Sequence, residues 1–153
     1  MRTLALLLLV VAALTVDTAA AAAAQRVTVN LELTGRFTGP NSIAGTFTSR
    51  VGTIEDSGTY TQTFGLDGNR VDTVKVLTGS QGIIVIYVRA FADFVTPTTA
   101  TFHGGRWKLL FGTGAYAGIT GGGRPGAASG IADLAAGTEI VSHRGKARLR
   151  ARR

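Results

Sequence analysis

A short apolar run followed by closely spaced glycines, between Arg106 and Gly123, constrains the fold of this chain more than any other stretch. The run contains Trp107 and ends at Phe111. Glycine alone takes positive φ without steric cost, so such a run is typical of a strand that meets a tight corner and then resumes. We expect Tyr116 and Ile119 to plug this corner. The predicted corner comprises Gly112, Gly114, Tyr116, Gly118 and Gly121.

The same glycines also satisfy a relaxed dinucleotide-binding fingerprint, Gly112-x-Gly114-x-x-Ala117, with Asp133 near the expected acidic spacing. That site requires a helix directly after the glycines, because the pyrophosphate sits on the helix N-terminus. The following residues include several more glycines and Pro125, which cannot sustain a helix. We therefore favour the structural corner and predict no nucleotide cofactor.

Most of the remaining chain alternates between apolar and polar side chains. Arg26 to Thr34 does so strictly, with Val27, Leu31 and Leu33 on the side expected to be buried. Similar segments are separated by turn signals every eight to twelve residues, and the segment from Asp93 to Thr99, with Pro97, is typical of a loop. About eight strands and almost no helical periodicity predict an all-β sandwich or barrel.

The segment GTGAYAGITG, from Gly112 to Gly121, resembles the corner motif of the allene oxide cyclase and dirigent superfamily. This resemblance favours the barrel over the sandwich. It implies an eight-stranded antiparallel barrel, allene oxide cyclase/dirigent-like and therefore calycin-like. It also implies an apolar substrate or ligand, and the members of that superfamily often form trimers.

The segment Gly82 to Phe91, GIIVIYVRAF, is apolar on both of its faces. In a closed barrel one face fills the interior, so another part of the chain or another subunit has to cover the second. We predict a homo-oligomeric contact here, in a dimer or trimer.

The amino terminus has the pattern of a secretory signal peptide. Arg2 is basic, Leu4 to Leu14 is an apolar core, and Ala19 to Ala24 offers small-residue cleavage sites. We expect residues 1–24 to be removed and residues 25–153 to form a single domain. The predicted location is extracellular, or a periplasm-like space, with no membrane span after cleavage.

The residue types present argue against several kinds of site. Without cysteine, disulfides, thiol catalysis and zinc–thiolate sites are impossible. Two histidines, without HExxH or clustered carboxylates, give no support for a metal site, and we predict none. No G-x-S-x-G elbow or Ser-His-Asp order appears, so nucleophilic hydrolysis has no support.

Two residues are candidates for catalysis, and three aromatic residues for ligand contact. By resemblance, Glu32 occupies a place similar to that of an acidic residue in the first strand of the superfamily, although alternation also allows it to face solvent. His103 shares its strand parity with Trp107, so it could face the interior and transfer protons. The candidate ligand contacts are Tyr60, Tyr87 and Trp107, with an aromatic core as the alternative.

Six of the 16 Lys and Arg residues lie between Arg144 and Arg153. Arg144, Lys146, Arg148 and Arg150 alternate with small or apolar residues, which predicts the outer face of a last strand. This face could contact anionic surfaces, or it could only discourage strand aggregation. Nucleic acid is not expected as a partner, because the segment from Arg144 to Arg153 contains no aromatic residue on which bases could stack.

Together these features favour a secreted barrel protein that binds one small apolar ligand and need not be an enzyme. One alternative is an isomerase or stereo-directing protein acting on an apolar substrate, as the resemblance implies. The other is a module that binds anionic cell-surface polymers through the C-terminal basic strand.

Overall fold

A computed structural model of the chain describes residues 24–150. Eight long antiparallel strands follow one another in order, and the last pairs with the first, so that the sheet closes on itself. A single 3-10 turn, Gly114–Tyr116, interrupts the succession. The strands are β1 (Ala24–Gly39), β2 (Ser42–Val51), β3 (Ile54–Asp67), β4 (Arg70–Gly79), β5 (Gly82–Thr96), β6 (Thr99–Gly112), β7 (Thr120–Asp133) and β8 (Thr138–Arg150).

The all-β prediction is confirmed, and the closed ring of eight antiparallel strands follows the alternation of the sequence. On β1, Val27, Leu31 and Leu33 are buried in the interior of the ring, as predicted, while Glu32 is exposed. Tight turns join most strands, and glycines with positive φ supply several of them, including Gly52 and Gly68. The predicted signal peptide lies almost entirely outside the described residues.

Strands β5 and β6 extend further than the sequence suggested. The loop predicted from Asp93 to Thr99 is wrong, because β5 continues to Thr96 and β6 begins at Thr99. Proline cannot donate a ladder hydrogen bond, but Pro97 occupies the two-residue turn, where no ladder bond is needed.

Two irregularities in β6 change which of its side chains face inward. Arg89 pairs with Arg106 and Phe91 with His103, so β6 has one more residue than β5 around Gly104, whose φ is +62°. A second extra residue lies at Leu110, between the pairs Val85–Phe111 and Ile86–Leu109. An extra residue of this kind is a β-bulge, and it moves every later side chain to the opposite face.

The two apolar faces of β5 have different surroundings. Its inward residues, among them Ile84, Ile86 and Val88, belong to the core. Its outward residues Val85 and Tyr87 are half-buried, and no described element packs over them as a second layer. The homo-oligomeric contact on this face stays a prediction. Within residues 24–150, no helix is long and apolar enough to cross a membrane.

Candidate functional site

The interior of the ring holds its largest group of buried polar side chains away from the 3-10 turn. Inward positions of β3, β4 and β8 bring together five large polar side chains, each at most 5% exposed. We call this group the interior polar cluster. It comprises Tyr60, Gln62, Lys75, Glu139 and His143.

The carboxylate of Glu139 is the centre of this cluster. Its Oε1 accepts a 2.9 Å hydrogen bond from the Tyr60 hydroxyl and lies 3.4 Å from Lys75 Nζ. Its Oε2 accepts a 3.5 Å hydrogen bond from Gln62 Nε2, and Lys75 also donates to Gln62 Oε1. A buried carboxylate is tolerated only with such partners, so these contacts fix the conformation of the cluster.

Burial sets the protonation behaviour of the cluster. It lowers the pKa of Lys75, while the opposite charge of Glu139 raises it. Burial also raises the pKa of Tyr60, and Glu139 adds to that shift. The Tyr60 hydroxyl therefore remains a hydrogen-bond donor at every physiological pH.

Gly35 on β1 makes room for the Tyr60 hydroxyl. A Cβ added at Gly35 would lie 2.2 Å from that oxygen, which no relaxed structure allows. The glycine therefore leaves space for a side chain from a strand two places away, since β2 lies between β1 and β3.

His143 is the least satisfied member of the cluster. It is 2% exposed, and neither ring nitrogen has a hydrogen-bond partner. Burial, together with the charge of Lys75, lowers the pKa of His143 to about 3, against a smaller opposing effect of the Ser142 backbone. The ring is thus neutral at pH 7, with one donor and one acceptor unused. Thr73 Oγ1 is likewise buried without a partner.

A small cavity of about 30 Å³ lies against these unpaired atoms. Gln62, Lys75, Glu139 and His143 line it with Thr73, and the apolar part of its wall includes Val88, Ala90 and Phe102. A volume of this size holds about one water molecule. Buried polar atoms without protein partners next to such a cavity indicate that water or a ligand group completes their hydrogen bonds.

The opposite end of the ring is closed by Tyr116 from the 3-10 turn. Its side chain is fully buried, and its hydroxyl donates a 3.2 Å hydrogen bond to Asp56 Oδ2. Burial, with Asp56 adding, raises the pKa of Tyr116 to about 12, although a hydrogen bond from Ser49 works against this. Asp56 also accepts hydrogen bonds from the backbone of Ser80 and Gln81, which joins the plug to the β4–β5 turn.

The predicted corner residues lie around this plug. Gly112 ends β6, and Gly114, Gly118 and Gly121 all have positive φ. The chain continues into β7 after the 3-10 turn instead of forming a helix. The surroundings required for a dinucleotide pyrophosphate are therefore absent from this corner.

Neither candidate catalytic residue faces the interior. Glu32 is exposed on the outer side of β1, beside Arg50 and Glu55. The expectation that His103 could face inward is wrong, because the bulge at Gly104 turns it to the outer surface. There its Nε2 lies 2.7 Å from Asp93 Oδ2, and its side chain is 53% exposed.

The three aromatic candidates do not line one cavity. Tyr60 lies inside the ring, whereas Tyr87 points outward, where its hydroxyl donates to Asp72. Trp107 is buried, and its Nε1 donates a 3.0 Å hydrogen bond to the carbonyl oxygen of Arg144. Tyr87 and Trp107 do share the wall of an open groove of about 520 Å³ on the outer surface.

The four cations predicted on the last strand, Arg144, Lys146, Arg148 and Arg150, are exposed on β8. The residues between them, such as Ala147, face the interior. Continuing the inward series toward the start of β8 leads to His143 and Glu139. The sequence therefore contained a signal for these two cluster members, because polar residues occupy positions where alternation demands burial.

Comparisons with protein-family models, with curated proteins and with solved structures found no match to this chain. Within residues 24–150, no three His, Asp or Glu side chains are grouped as metal ligands would be. The candidate site therefore rests on the geometry of the interior polar cluster and its cavity.

Proposed function

We propose that the interior of the ring binds one small molecule whose polar group contacts the interior polar cluster. The observation that carries the proposal is the cavity beside His143 and Thr73, where three buried polar atoms have no protein partner. A buried polar atom without a partner costs about 1–3 kcal/mol, so a bound molecule that supplies the missing hydrogen bonds gains that energy.

The surrounding residues define the chemistry of this ligand. Lys75 offers hydrogen-bond donors, Glu139 offers acceptors, and neutral His143 offers one of each. Val88, Ala90 and Phe102 provide an apolar wall toward the rim. These residues fit a small, mostly apolar molecule with one hydroxyl or carbonyl group. Because the cavity itself holds about one water, such a ligand has to displace that water and move the half-buried side chain of Phe102.

The broader assignment follows from the sequence. We propose an exported protein of the allene oxide cyclase/dirigent-like barrel type, supported by the N-terminal signal pattern and by the GTGAYAGITG corner. The closed antiparallel ring of eight strands is compatible with that type.

The ligand-binding proposal can be tested with small neutral alcohols such as propan-1-ol, titrated into the isotope-labelled chain and followed by NMR. We expect chemical-shift changes that saturate at one molecule per chain and are concentrated at the residues that line the cavity. The variant Ala90→Leu, which adds apolar bulk to the cavity wall, should abolish these changes. Val74→Leu on the outward face of β4 is the matched control, because Val74 is 37% exposed and does not line the cavity. Equal binding of the alcohol by Ala90→Leu and the wild type would place the probe elsewhere and refute the proposal.

A second candidate function is an isomerase, and the position of Glu139 favours it. A buried carboxylate and a neutral imidazole face one cavity, as general acid–base catalysis requires. In this version Glu139 replaces Glu32 as the acidic catalyst. Turnover of an allene oxide, the substrate that gives the resembled cyclases their name, should then be lost in Glu139→Gln that circular dichroism shows to be folded, and retained in Glu32→Gln. Turnover that survives Glu139→Gln would exclude this mechanism.

A further inference from the structure

The outer surface of the ring has a strongly basic face that the interior site does not use. Four of its cations lie along β8, and others come from β1, β6 and the segment of β7 that bulges away from its neighbours. All are exposed. We call this the basic face; it comprises Arg26, Arg106, Lys108, Arg124, Arg144, Lys146, Arg148 and Arg150.

Within the part of the chain that the structure describes, these cations form no ion pair with an acidic side chain. Within residues 24–150, the ion pairs of exposed and half-exposed arginines involve Arg50, Arg70 and Arg89, all outside the basic face. Arg26 and Arg148 are even directly opposite each other in the β1–β8 pairing. Like charges at such positions destabilise a sheet, and an anion that lies over them would relieve this cost.

The glycines of β7 leave a flat strip between two rows of these cations. Gly122 pairs with Lys108 on one side and with Lys146 on the other. A Cβ at Gly122 would lie 2.1 Å from the Trp107 carbonyl oxygen, so no side chain can occupy this position. The strip therefore carries no side chain of its own at Gly122.

The cations on β8 form an extended row. Alternate residues of a strand are about 7 Å apart, so Arg144 to Arg150 present four charges in a line along the outer wall. The row suits an extended polymer with regularly spaced anionic groups better than a compact anion. Guanidinium groups bind carboxylates and tetrahedral oxyanions such as phosphate and sulfate with paired hydrogen bonds, so the row fits a polymer that bears such groups.

We propose that the basic face binds a linear acidic polysaccharide that bears carboxylate or sulfate groups. Nucleic acid fits less well along the β8 row, because the outward positions of β1, β7 and β8 have no aromatic ring on which bases could stack. A bilayer surface also fits less well, since the outward positions from Arg144 to Arg150 carry no apolar side chain to insert. This proposal is independent of the interior ligand.

A salt titration of binding tests the proposal. Binding of the full chain to a heparin fragment and to polygalacturonate is measured by calorimetry at several salt concentrations. The double variant Arg144→Ser/Arg148→Ser should bind at least about tenfold more weakly near 0.1 M salt, with a salt slope smaller by about two. The double variant Arg50→Ser/Arg70→Ser is the matched control, because it removes the same charge from outside the basic face and should bind like the wild type.

Competition experiments decide the class of partner. Single-stranded DNA and vesicles rich in phosphatidylserine should compete more weakly than heparin at equal charge concentration. Stronger competition by either would overturn the assignment to a polysaccharide. Equal weakening in both double variants would show that net charge alone drives binding, and would refute a specific face. Thermal melting of both variants within a few degrees of the wild type confirms that each one is folded.

Discussion

The Tyr60 hydroxyl donates a 2.9 Å hydrogen bond to Glu139 across 79 residues of sequence. Tyr60 belongs to β3 and Glu139 to β8, two strands that are not neighbours in the ring. The bond therefore crosses the interior of the ring rather than following the sheet. Together with Lys75 and Gln62 it links side chains of β3, β4 and β8 through the interior.

Removing the hydroxyl tests what this crossing contributes. Tyr60→Phe should lower the free energy of unfolding by about 1.5–3 kcal/mol, because Glu139 loses a charge-assisted hydrogen bond in a buried site. Urea denaturation measures the change. Tyr87→Phe is the control: its hydroxyl also donates to a carboxylate, that of Asp72, but in a half-exposed setting. Tyr87→Phe should lower the free energy of unfolding by less than about 1 kcal/mol. Equal losses in the two variants would mean that burial does not strengthen the hydrogen bond of Tyr60.

The Lys75–Glu139 pair should show strong coupling. Lys75→Met leaves the Glu139 carboxylate without its cation, and Glu139→Gln leaves a buried ammonium without its anion. Each single variant should lose about 3–5 kcal/mol of stability, since an uncompensated charge remains buried.

The double variant Lys75→Met/Glu139→Gln should lose less than the sum of the two single losses, because no unpaired charge is left. Denaturant midpoints of the four proteins give the coupling energy directly. Additive losses would indicate that Lys75 and Glu139 do not interact as a charged pair.

The sequence predicted the sheet better than it predicted the site. Alternation on β1 and β8 depends on local periodicity alone, so it correctly separated buried from exposed residues there. The prediction for His103 was wrong because it assumed that side chains alternate without interruption from Trp107 back to His103. The bulge at Gly104 breaks this alternation, and it arises from the pairing with β5, which the sequence does not show.

The interior polar cluster is harder to recognise from sequence. Lys75 occupies an inward position of β4, but a lysine there is more often expected at an exposed position. Its partner Glu139 is 64 residues away, and only closure of the ring brings the two together. Periodicity identifies the face on which each side chain lies, whereas the pairing partner depends on the registers of all eight strands.

His143 should make the protein sensitive to acid. Its pKa is about 3 in the folded chain against about 6.5 for an ordinary histidine, so the unfolded chain binds the proton first as pH falls. The free energy of unfolding therefore keeps its full value with respect to His143 above about pH 6.5. It decreases as pH falls toward 3, by up to about 1.4 kcal/mol per pH unit.

Urea denaturation at several pH values should show this slope in the wild type and a shallower one in His143→Gln. Thr73→Val is the matched control, because it changes a side chain of the same cavity that carries no ionisable group, and it should keep the wild-type slope. A slope that persists unchanged in His143→Gln would assign the acid sensitivity to other groups.

The corner glycines offer a paired test of how the ring is closed at the Tyr116 end. Gly114 and Gly118 both have positive φ, at +58° and +71°, so alanine is strained by about 1 kcal/mol at either position. Their surroundings differ. A Cβ at Gly114 would lie 2.3 Å from the Gln81 carbonyl oxygen, whereas at Gly118 the nearest atoms are 3.5 Å away on the flexible side chain of Arg150.

Gly118→Ala should therefore lower the free energy of unfolding by about 1 kcal/mol in urea denaturation. Gly114→Ala should cost about 2–4 kcal/mol, because it also forces the corner away from the β4–β5 turn. Similar losses for both variants would show that backbone strain alone selects glycine here and that the contact with Gln81 is not needed to close the ring.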